Sequence, residues 1–150
     1  MSISDIAAWW GAIIASFVLI WDIFKWRKSG PKTIATARRG WKTFNIPQTE
    51  GHKLIHVTAT NTGDRATTLT VMGLHWYPEG STLADKTKRQ TYVVMGIQGF
   101  DKIPQKIEPG DVWTNVIIEH EKIAPLLTKG MLVVALGFSH VEDDVLVGIK

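Results

Sequence analysis

The chain has 150 residues, a formal net charge of +3 and no cysteine, so it is long enough for one folded domain beside a short anchor. The lack of cysteine excludes a disulfide-stapled scaffold and a zinc site with cysteine ligands. Residues 25–42 hold seven basic and no acidic residues, whereas residues 43–150 hold ten basic and twelve acidic ones. The basic character therefore belongs to one segment and not to the domain that follows it.

The first predicted element is an apolar helix over residues 6–26. No charged residue lies between Asp5 and Asp22, and the 19 residues 6–24 make a helix of about 28 Å. This length is close to the hydrocarbon thickness of a bilayer, about 30 Å, so the sequence predicts one membrane-spanning helix. Tryptophan favours the headgroup level of a membrane, and it occurs near both ends of the stretch. The predicted interface anchors are Trp9, Trp10, Trp21 and Trp26.

Three other interpretations of this helix need to be considered. A cleaved signal peptide requires a positive start and a small-residue cleavage site, but the chain begins Met-Ser-Ile-Ser-Asp and the apolar run ends in tryptophan and charged residues. Cleavage is therefore not expected. A helix lying in the membrane surface and a core or oligomer helix of a soluble protein are the remaining alternatives.

The basic segment after the helix predicts the orientation. Positive residues stay on the cytoplasmic side of a membrane, so we expect the N-terminus outside and the C-terminal domain in the cytoplasm, at the inner membrane. Each basic residue near anionic lipid contributes about 1 kcal/mol. Contact with nucleic acid through residues 38–42 is the less favoured alternative. The predicted anionic-lipid contacts are Lys25, Arg27, Lys28, Lys32, Arg38 and Arg39.

Small residues recur every four positions along the helix, a spacing that lets two helix backbones approach closely in lipid. Asp22 follows on the same side of the helix. A carboxylate at this depth usually faces a partner or water. The alternative is that the Asp22 side chain extends to the membrane interface. The pattern predicts association with a second copy or with another membrane protein. The predicted helix-association face consists of Ala8, Gly11, Ala12, Ala15 and Asp22.

Beyond the helix-breaking Ser29-Gly30-Pro31, the pattern changes to short runs rich in threonine, valine and isoleucine. The sequence predicts three segments: a helix with its basic flank at 1–28, a basic juxtamembrane segment with the first strand at 29–42, and a β domain at 43–150. A short helical turn is expected at 123–128. The predicted strands cover 32–39, 52–61, 67–77, 91–97, 100–106, 112–119, 131–141 and 145–150.

Short strands with turns near every ten residues predict an all-β domain, an antiparallel two-sheet sandwich of immunoglobulin or fibronectin III type. A partly open barrel is the alternative. The run 131–136 is apolar on both faces and predicts a central strand. Gly63 is expected to supply a positive φ in the turn 61–65, and 108–111 is predicted to be a second turn. Three tryptophans, Trp41, Trp76 and Trp113, are expected in the core.

Several of these motifs resemble a known group of proteins. Asn61-Thr62-Gly63 followed by Thr-Thr-Leu-Thr, the later run Ile107 to Trp113, and the closing hairpin are similar to small, mostly uncharacterised prokaryotic or phage proteins. Those proteins have an immunoglobulin-like fold, often behind one N-terminal transmembrane helix. The resemblance implies the architecture and carries no activity with it.

The sequence holds no nucleophile elbow, phosphate-cradling glycine loop or zinc motif, so we expect no enzyme, cofactor or metal. His52 and His56 lie about 13 Å apart on one strand, too far to ligate one metal together. The run Glu119-His120-Glu121 is predicted to be an exposed strand end, and 142–144 is predicted to be a solvated turn. The remaining histidines, expected to be exposed or hydrogen-bonded, are His75, His120 and His140.

Three functions from different classes are compatible with these features. The favoured one is a non-enzymatic, membrane-anchored interaction, adaptor or sensor protein that presents a cytoplasmic β-sandwich, with a sheet edge as one candidate contact. The second is a membrane effector or channel-like assembly that associates through the small-residue face. The third is a small-ligand binder or enzyme that the motifs do not identify.

Overall fold

The computed structural model describes residues 2–95, 97 and 99–150, and these form one helix and eight strands. The helix α1 covers Ile3–Lys28. The chain divides into two compact units, one ending at Gly30 and one from Pro31 to Lys150. The strands are β1 Thr33–Trp41, β2 Leu54–Asn61, β3 Thr67–Pro78, β4 Gln90–Val93, β5 Gln105–Ile107, β6 Val112–Ile118, β7 Gly130–Phe138 and β8 Val145–Gly148.

Local capping fixes both ends of α1. Ser2 and Asp5 form a capping box, in which each side chain accepts a hydrogen bond from the other residue's backbone N–H, so two free donors at the helix start are satisfied. At the other end, basic residues in the last turn complement the helix dipole. None of the residues of α1 is buried, and by length and composition the helix is able to cross a membrane.

The second unit contains two antiparallel sheets. A three-stranded sheet has the order β1–β2–β6, and a five-stranded sheet has the order β4–β3–β7–β8 with β5 also paired to β3. The long strand β3 pairs with β5 along its first part and with β4 along its second part. An isolated parallel bridge between Ala37 and Ile149 links β1 to the end of the chain. The prediction of an all-β domain made of two antiparallel sheets is confirmed.

The core forms where the alternating apolar side chains of the two sheets meet. In β2, Ile55, Val57 and Ala59 are fully buried while the residues between them are half-buried, as the period of two requires. The strand β7 is bonded to β3 on one side and β8 on the other, which confirms the predicted central strand. Its inner face contributes Val134 and Leu136 to the core.

The sequence misplaces several element ends. The strand β2 begins at Leu54 and not at residue 52, β4 ends at Val93, and β7 ends at Phe138. Two residues lie outside the described part of the chain: Gly96, which belongs to the predicted strand 91–97, and Gln98 of the following loop. Residues 121–128 form a run of hydrogen-bonded turns. The Leu127 N–H donates to the Ile123 carbonyl at 3.4 Å, which is the spacing of one helical turn, so the single turn predicted at 123–128 is present and does not extend into a regular helix.

The turn after β2 works differently from the prediction. Gly63 does not have a positive φ, so that prediction is wrong. Instead, the side-chain oxygen of Asn61 accepts the Gly63 N–H at 3.0 Å, and its amide donates to the carbonyls of Arg65 and Ile107 at 2.7 and 3.1 Å. An asparagine side chain of this kind closes a turn without a left-handed residue. The second turn is confirmed, with Gly110 at a φ of 86°.

The three tryptophans of the β domain have different environments. Trp113 is buried, and its indole N–H donates to the Lys102 carbonyl at 3.1 Å. Trp76 is half-buried and packs against the core. Trp41 is 47% exposed, so its predicted core position is wrong. It lies at the end of β1 and stacks on the His56 ring with 4.0 Å between ring centroids.

Candidate binding groove

An apolar groove of about 360 Å³ lies between the edge strands β4 and β6. Its size falls in the range of ligand-binding clefts, roughly 300–1,000 Å³. Besides the Tyr92 phenol, the ionisable side chains among the described residues of its lining are His120 and Lys122. The apolar side chains that line it are Leu74, Val93, Val94, Met95, Ile97, Val116, Ile117, Ile118, Ile123 and Leu126.

The outer edge of β4 presents free backbone groups. The Val94 N–H donates to the Met72 carbonyl at 3.0 Å, and the register pairs Tyr92 with Leu74. Because bonded and non-bonded pairs alternate in an antiparallel ladder, the N–H and C=O of Thr91 and Val93 point away from β3. Within the described residues, no hydrogen bond to these four groups is present.

The edge of β6 is blocked by side chains where β4 is open. The Thr114 N–H donates to the Asp101 carboxylate at 2.7 Å, and the Thr114 carbonyl accepts the Asp101 N–H at 3.2 Å. The Val116 N–H donates to the Asn115 side-chain oxygen at 2.8 Å. Such bonds occupy groups that a further strand would use, so the two sides of the groove differ in what they offer.

Large apolar side chains of β4 and the residues after it are exposed at the rim of the groove. Tyr92, Val93 and Met95 are 40%, 68% and 84% exposed. Clustered exposed apolar residues beside a concave apolar surface mark interaction sites in soluble domains. The groove and this rim are therefore the strongest candidate for a binding surface in the β domain.

A polar hollow adjoins the groove and shares two of its residues, His120 and Lys122. His52, Glu119 and Glu121 complete its lining. His120 and Glu121 are exposed, as predicted for this strand end, but Glu119 is not, because its side chain is only 4% exposed. Both of its oxygens accept hydrogen bonds from Arg39 at 2.8 Å, and these bonds lower the pKa of Glu119.

The histidines do not converge on a metal. Among the residues that the structure describes, no group of three or more histidine and acidic side chains is arranged to hold an ion. His140 is bonded through Nδ1 to the Thr67 hydroxyl at 2.7 Å. His52 and His120 do line one hollow, which they share with Glu119, Glu121 and Lys122.

His75 departs from the expectation of an exposed or hydrogen-bonded ring. It is buried, its Nδ1 has no hydrogen-bond partner among the described residues, and its Nε2 lies 3.6 Å from the Asp144 carboxylate. Burial lowers the pKa of His75, and the nearby charge of Arg89 lowers it further, while Asp144 opposes both. The turn 142–144 is therefore in contact with a buried residue and is not simply solvated.

The residues predicted to contact the membrane or a partner helix differ in their exposure and in the contacts they make. Ala8 and Ala12 line shallow hollows on α1 beside Trp9, while Gly11, Ala15 and Asp22 do not line them. The predicted anchors Trp9, Trp10, Trp21 and Trp26 are exposed along α1. The predicted lipid contacts Lys25, Arg27, Lys28, Lys32, Arg38 and Arg39 are not all free, because Arg39 is paired with Glu119 and Lys28 lies 4.2 Å from the Phe24 ring centre.

The groove was not predictable from the sequence. Its wall is formed by strands that are distant in sequence. The residues of its rim were predicted to form a strand, but not to border a groove. The signal present in the sequence is the run Tyr92 to Met95, which is apolar on both faces. In a central strand both faces are buried, whereas in the edge strand β4 such a run leaves apolar side chains exposed.

No known protein family matches this chain, and no curated protein matches it significantly. The helix and the groove are therefore the features that bear on its function.

Proposed function

We propose that this protein is a non-enzymatic, single-pass membrane-anchored interaction module, an adaptor or sensor. Its β domain binds a partner on the cytoplasmic side of the inner membrane. The groove beside β4 carries this proposal, because it combines an apolar cleft, an exposed apolar rim and an open sheet edge. We assign the domain to the immunoglobulin-like sandwiches, following the resemblance of its turns to the prokaryotic and phage proteins.

The connection between helix and domain supports an anchoring role. Only residues 29–32 separate the end of α1 from the start of β1, and four extended residues span at most about 14 Å. A domain tethered in this way stays close to the membrane that holds its helix. The basic residues on both sides of this linker support a cytoplasmic orientation and contact with anionic lipid.

Membrane extraction tests the anchor. The full chain is expressed in bacteria, and the membranes are washed with alkaline carbonate, which removes peripheral proteins. We expect the chain to stay in the pellet because α1 spans the bilayer. Replacing both Ile14 and Leu19 by lysine places two charges in the hydrocarbon region, each costing about 2.5–3.5 kcal/mol, and should move the chain to the supernatant. Recovery of the unsubstituted chain in the supernatant would contradict the proposal.

A second candidate, self-association of α1 into a membrane assembly, is favoured by the hollows on the helix surface. These hollows are lined by Ala8, Ala12 and Ser16 between the larger side chains of Trp9 and Phe17. A hollow floored by small residues admits the side chains of a neighbouring helix. This assembly is compatible with a binding role for the β domain.

Filling the hollows at Ala12, which lines both of them, tests self-association of α1. Ala12→Leu fills the hollow and should convert a cross-linked oligomer into a monomer in bilayer nanodiscs. Ile6→Phe also enlarges a side chain, but it does so about 120° around the helix from Ala12 and about 180° from Ala15, outside both hollows, and it should leave the oligomer intact. A monomeric full chain, or equal effects of both substitutions, would remove this candidate.

A further inference from the structure

We infer that the outer edge of β4 binds an extended segment of a partner protein, which adds to the five-stranded sheet as a further strand. The segment carries apolar side chains at alternate positions and acidic residues beside them. This inference rests on the proposed function and names the chemistry of the partner.

The backbone of β4 determines the mode of binding. Thr91 and Val93 each point an N–H and a C=O away from β3, and within the described chain these groups have no hydrogen-bond partner. An added strand satisfies such groups with main-chain hydrogen bonds. At β6, by contrast, Asp101 and the Asn115 side chain already occupy edge groups, so the strand is directed to β4.

The groove determines which side chains the added strand presents. Tyr92 pairs with Leu74, and both line the groove together with Val94, which follows β4 on the same face. Val93, on the other face, borders the groove at its rim and is more exposed, so the face of Tyr92 is the one that faces the cleft. A neighbouring strand directs every second side chain to the same face. Those side chains enter a cleft walled by aliphatic residues of β6 and the turns after it, and they must be apolar to replace water there favourably.

Charges near β4 select an acidic segment. Arg89 directly precedes the strand, and Lys122 lies in the groove lining. Neither has an ion-pair partner within 4 Å among the residues described, whereas Lys86 and Lys88 are paired with aspartates. Glu121 belongs to the adjoining hollow and does not line the groove. Arg89 already interacts with Asp143 and with the buried His75, whose side chain lies on the face of β3 opposite to Leu74. Acidic residues of the segment therefore complement Lys122.

Peptide selection tests this inference. A displayed library of random peptides of about ten residues, which is long enough for one strand, is selected for binding to the full chain in nanodiscs. We expect enriched peptides with apolar residues at every second position and acidic residues between or beside them. Val93→Pro removes an outward N–H without breaking the ladder to β3 and should weaken binding about tenfold. Lys122→Glu should have a similar effect.

Val112→Pro is the matched control. Val112 lies two residues before Thr114 on β6, so its N–H also points away from its neighbour strand, but it does not line the groove. This substitution should leave peptide binding unchanged. The inference is overturned by an absence of enriched peptides, by enrichment of helical spacing, or by binding that resists both Val93→Pro and Lys122→Glu. Such results leave the membrane extraction result untouched, so the two proposals fail separately.

Discussion

Arg39 and Glu119 illustrate how single residues hold the three-stranded sheet together. Arg39 on β1 reaches Glu119, which follows β6, so the pair crosses the whole sheet with two hydrogen bonds of 2.8 Å. The Glu119 side chain is nearly buried, whereas that of Arg39 is 46% exposed. Removing the arginine therefore leaves a desolvated carboxylate without its partner, which costs more than losing an exposed ion pair.

We expect Arg39→Met to lower the free energy of unfolding by about 2 kcal/mol. Lys106→Met, which breaks the exposed pair with Glu108, should cost less than about 0.5 kcal/mol. Urea unfolding of the full chain in micelles, followed by near-ultraviolet circular dichroism, measures both. Equal effects of the two substitutions would show that the Arg39 pair contributes no more than a surface contact.

The same pair predicts a pH dependence. Hydrogen bonds from Arg39 hold the pKa of Glu119 below its ordinary value of 4.5, so the folded state binds this proton less tightly than the unfolded state. The contribution of Glu119 is fully present above the unfolded pKa and is lost as the pH falls through the lower folded pKa. Arg39→Met should remove this part of the acid sensitivity, which urea unfolding repeated across the acidic range measures.

Among the structural elements, the β3–β7 ladder depends on one close approach. Gly130 pairs with Pro78 at the end of this ladder. A Cβ at Gly130 would contact the Tyr77 carbonyl oxygen and lie 2.8 Å from the Trp76 indole nitrogen. That indole donates to the Leu126 carbonyl at 3.1 Å, and Leu126 lines the groove. The ladder end and the groove wall are therefore coupled.

Gly130→Ala should destabilise the β domain by about 1–3 kcal/mol, because the backbone must shift to admit the methyl group. Gly148→Ala on β8 is the control, since nothing lies within 4 Å of its Cβ position, and it should change stability little. Thermal unfolding of the full chain in micelles compares the two. A Gly130→Ala protein as stable as the control would contradict the close approach.

Most strands were predictable because their signals are local. Alternating residues such as Ile55 and Val57 and the turn at 108–111 predict strands and a reversal without knowledge of neighbours. The failures at Gly63 and Trp41 have other causes. The turn at 61–65 is closed by local bonds of the Asn61 side chain to Gly63 and Arg65, which are typical of asparagine, so the signal was present but was assigned to the glycine. Trp41 lies at an exposed sheet edge beside His56, and a contact between two strands of this kind is absent from a local pattern.

At the scale of the whole molecule, an apolar helix and a β domain with an open edge are joined by four residues. The helix was predictable from the length of the uncharged apolar stretch, since this signal lies in one continuous run of residues. The groove was not, because it exists only after β4 and β6 become the edges of two sheets. We propose that these two parts act together, the helix confining the domain to the membrane and the groove selecting its partner.

Thiol accessibility tests this arrangement most directly. The chain has no cysteine, so a single substitution introduces a single reporter thiol. Met95→Cys places it in the β domain, at a position 84% exposed beside the groove. Ser4→Cys, in a second variant, places it at the N-terminal end of α1. In sealed bacterial spheroplasts, a membrane-impermeant maleimide should label Ser4→Cys at once and Met95→Cys only after lysis. Labelling of Met95→Cys in sealed spheroplasts would contradict a cytoplasmic β domain anchored by α1.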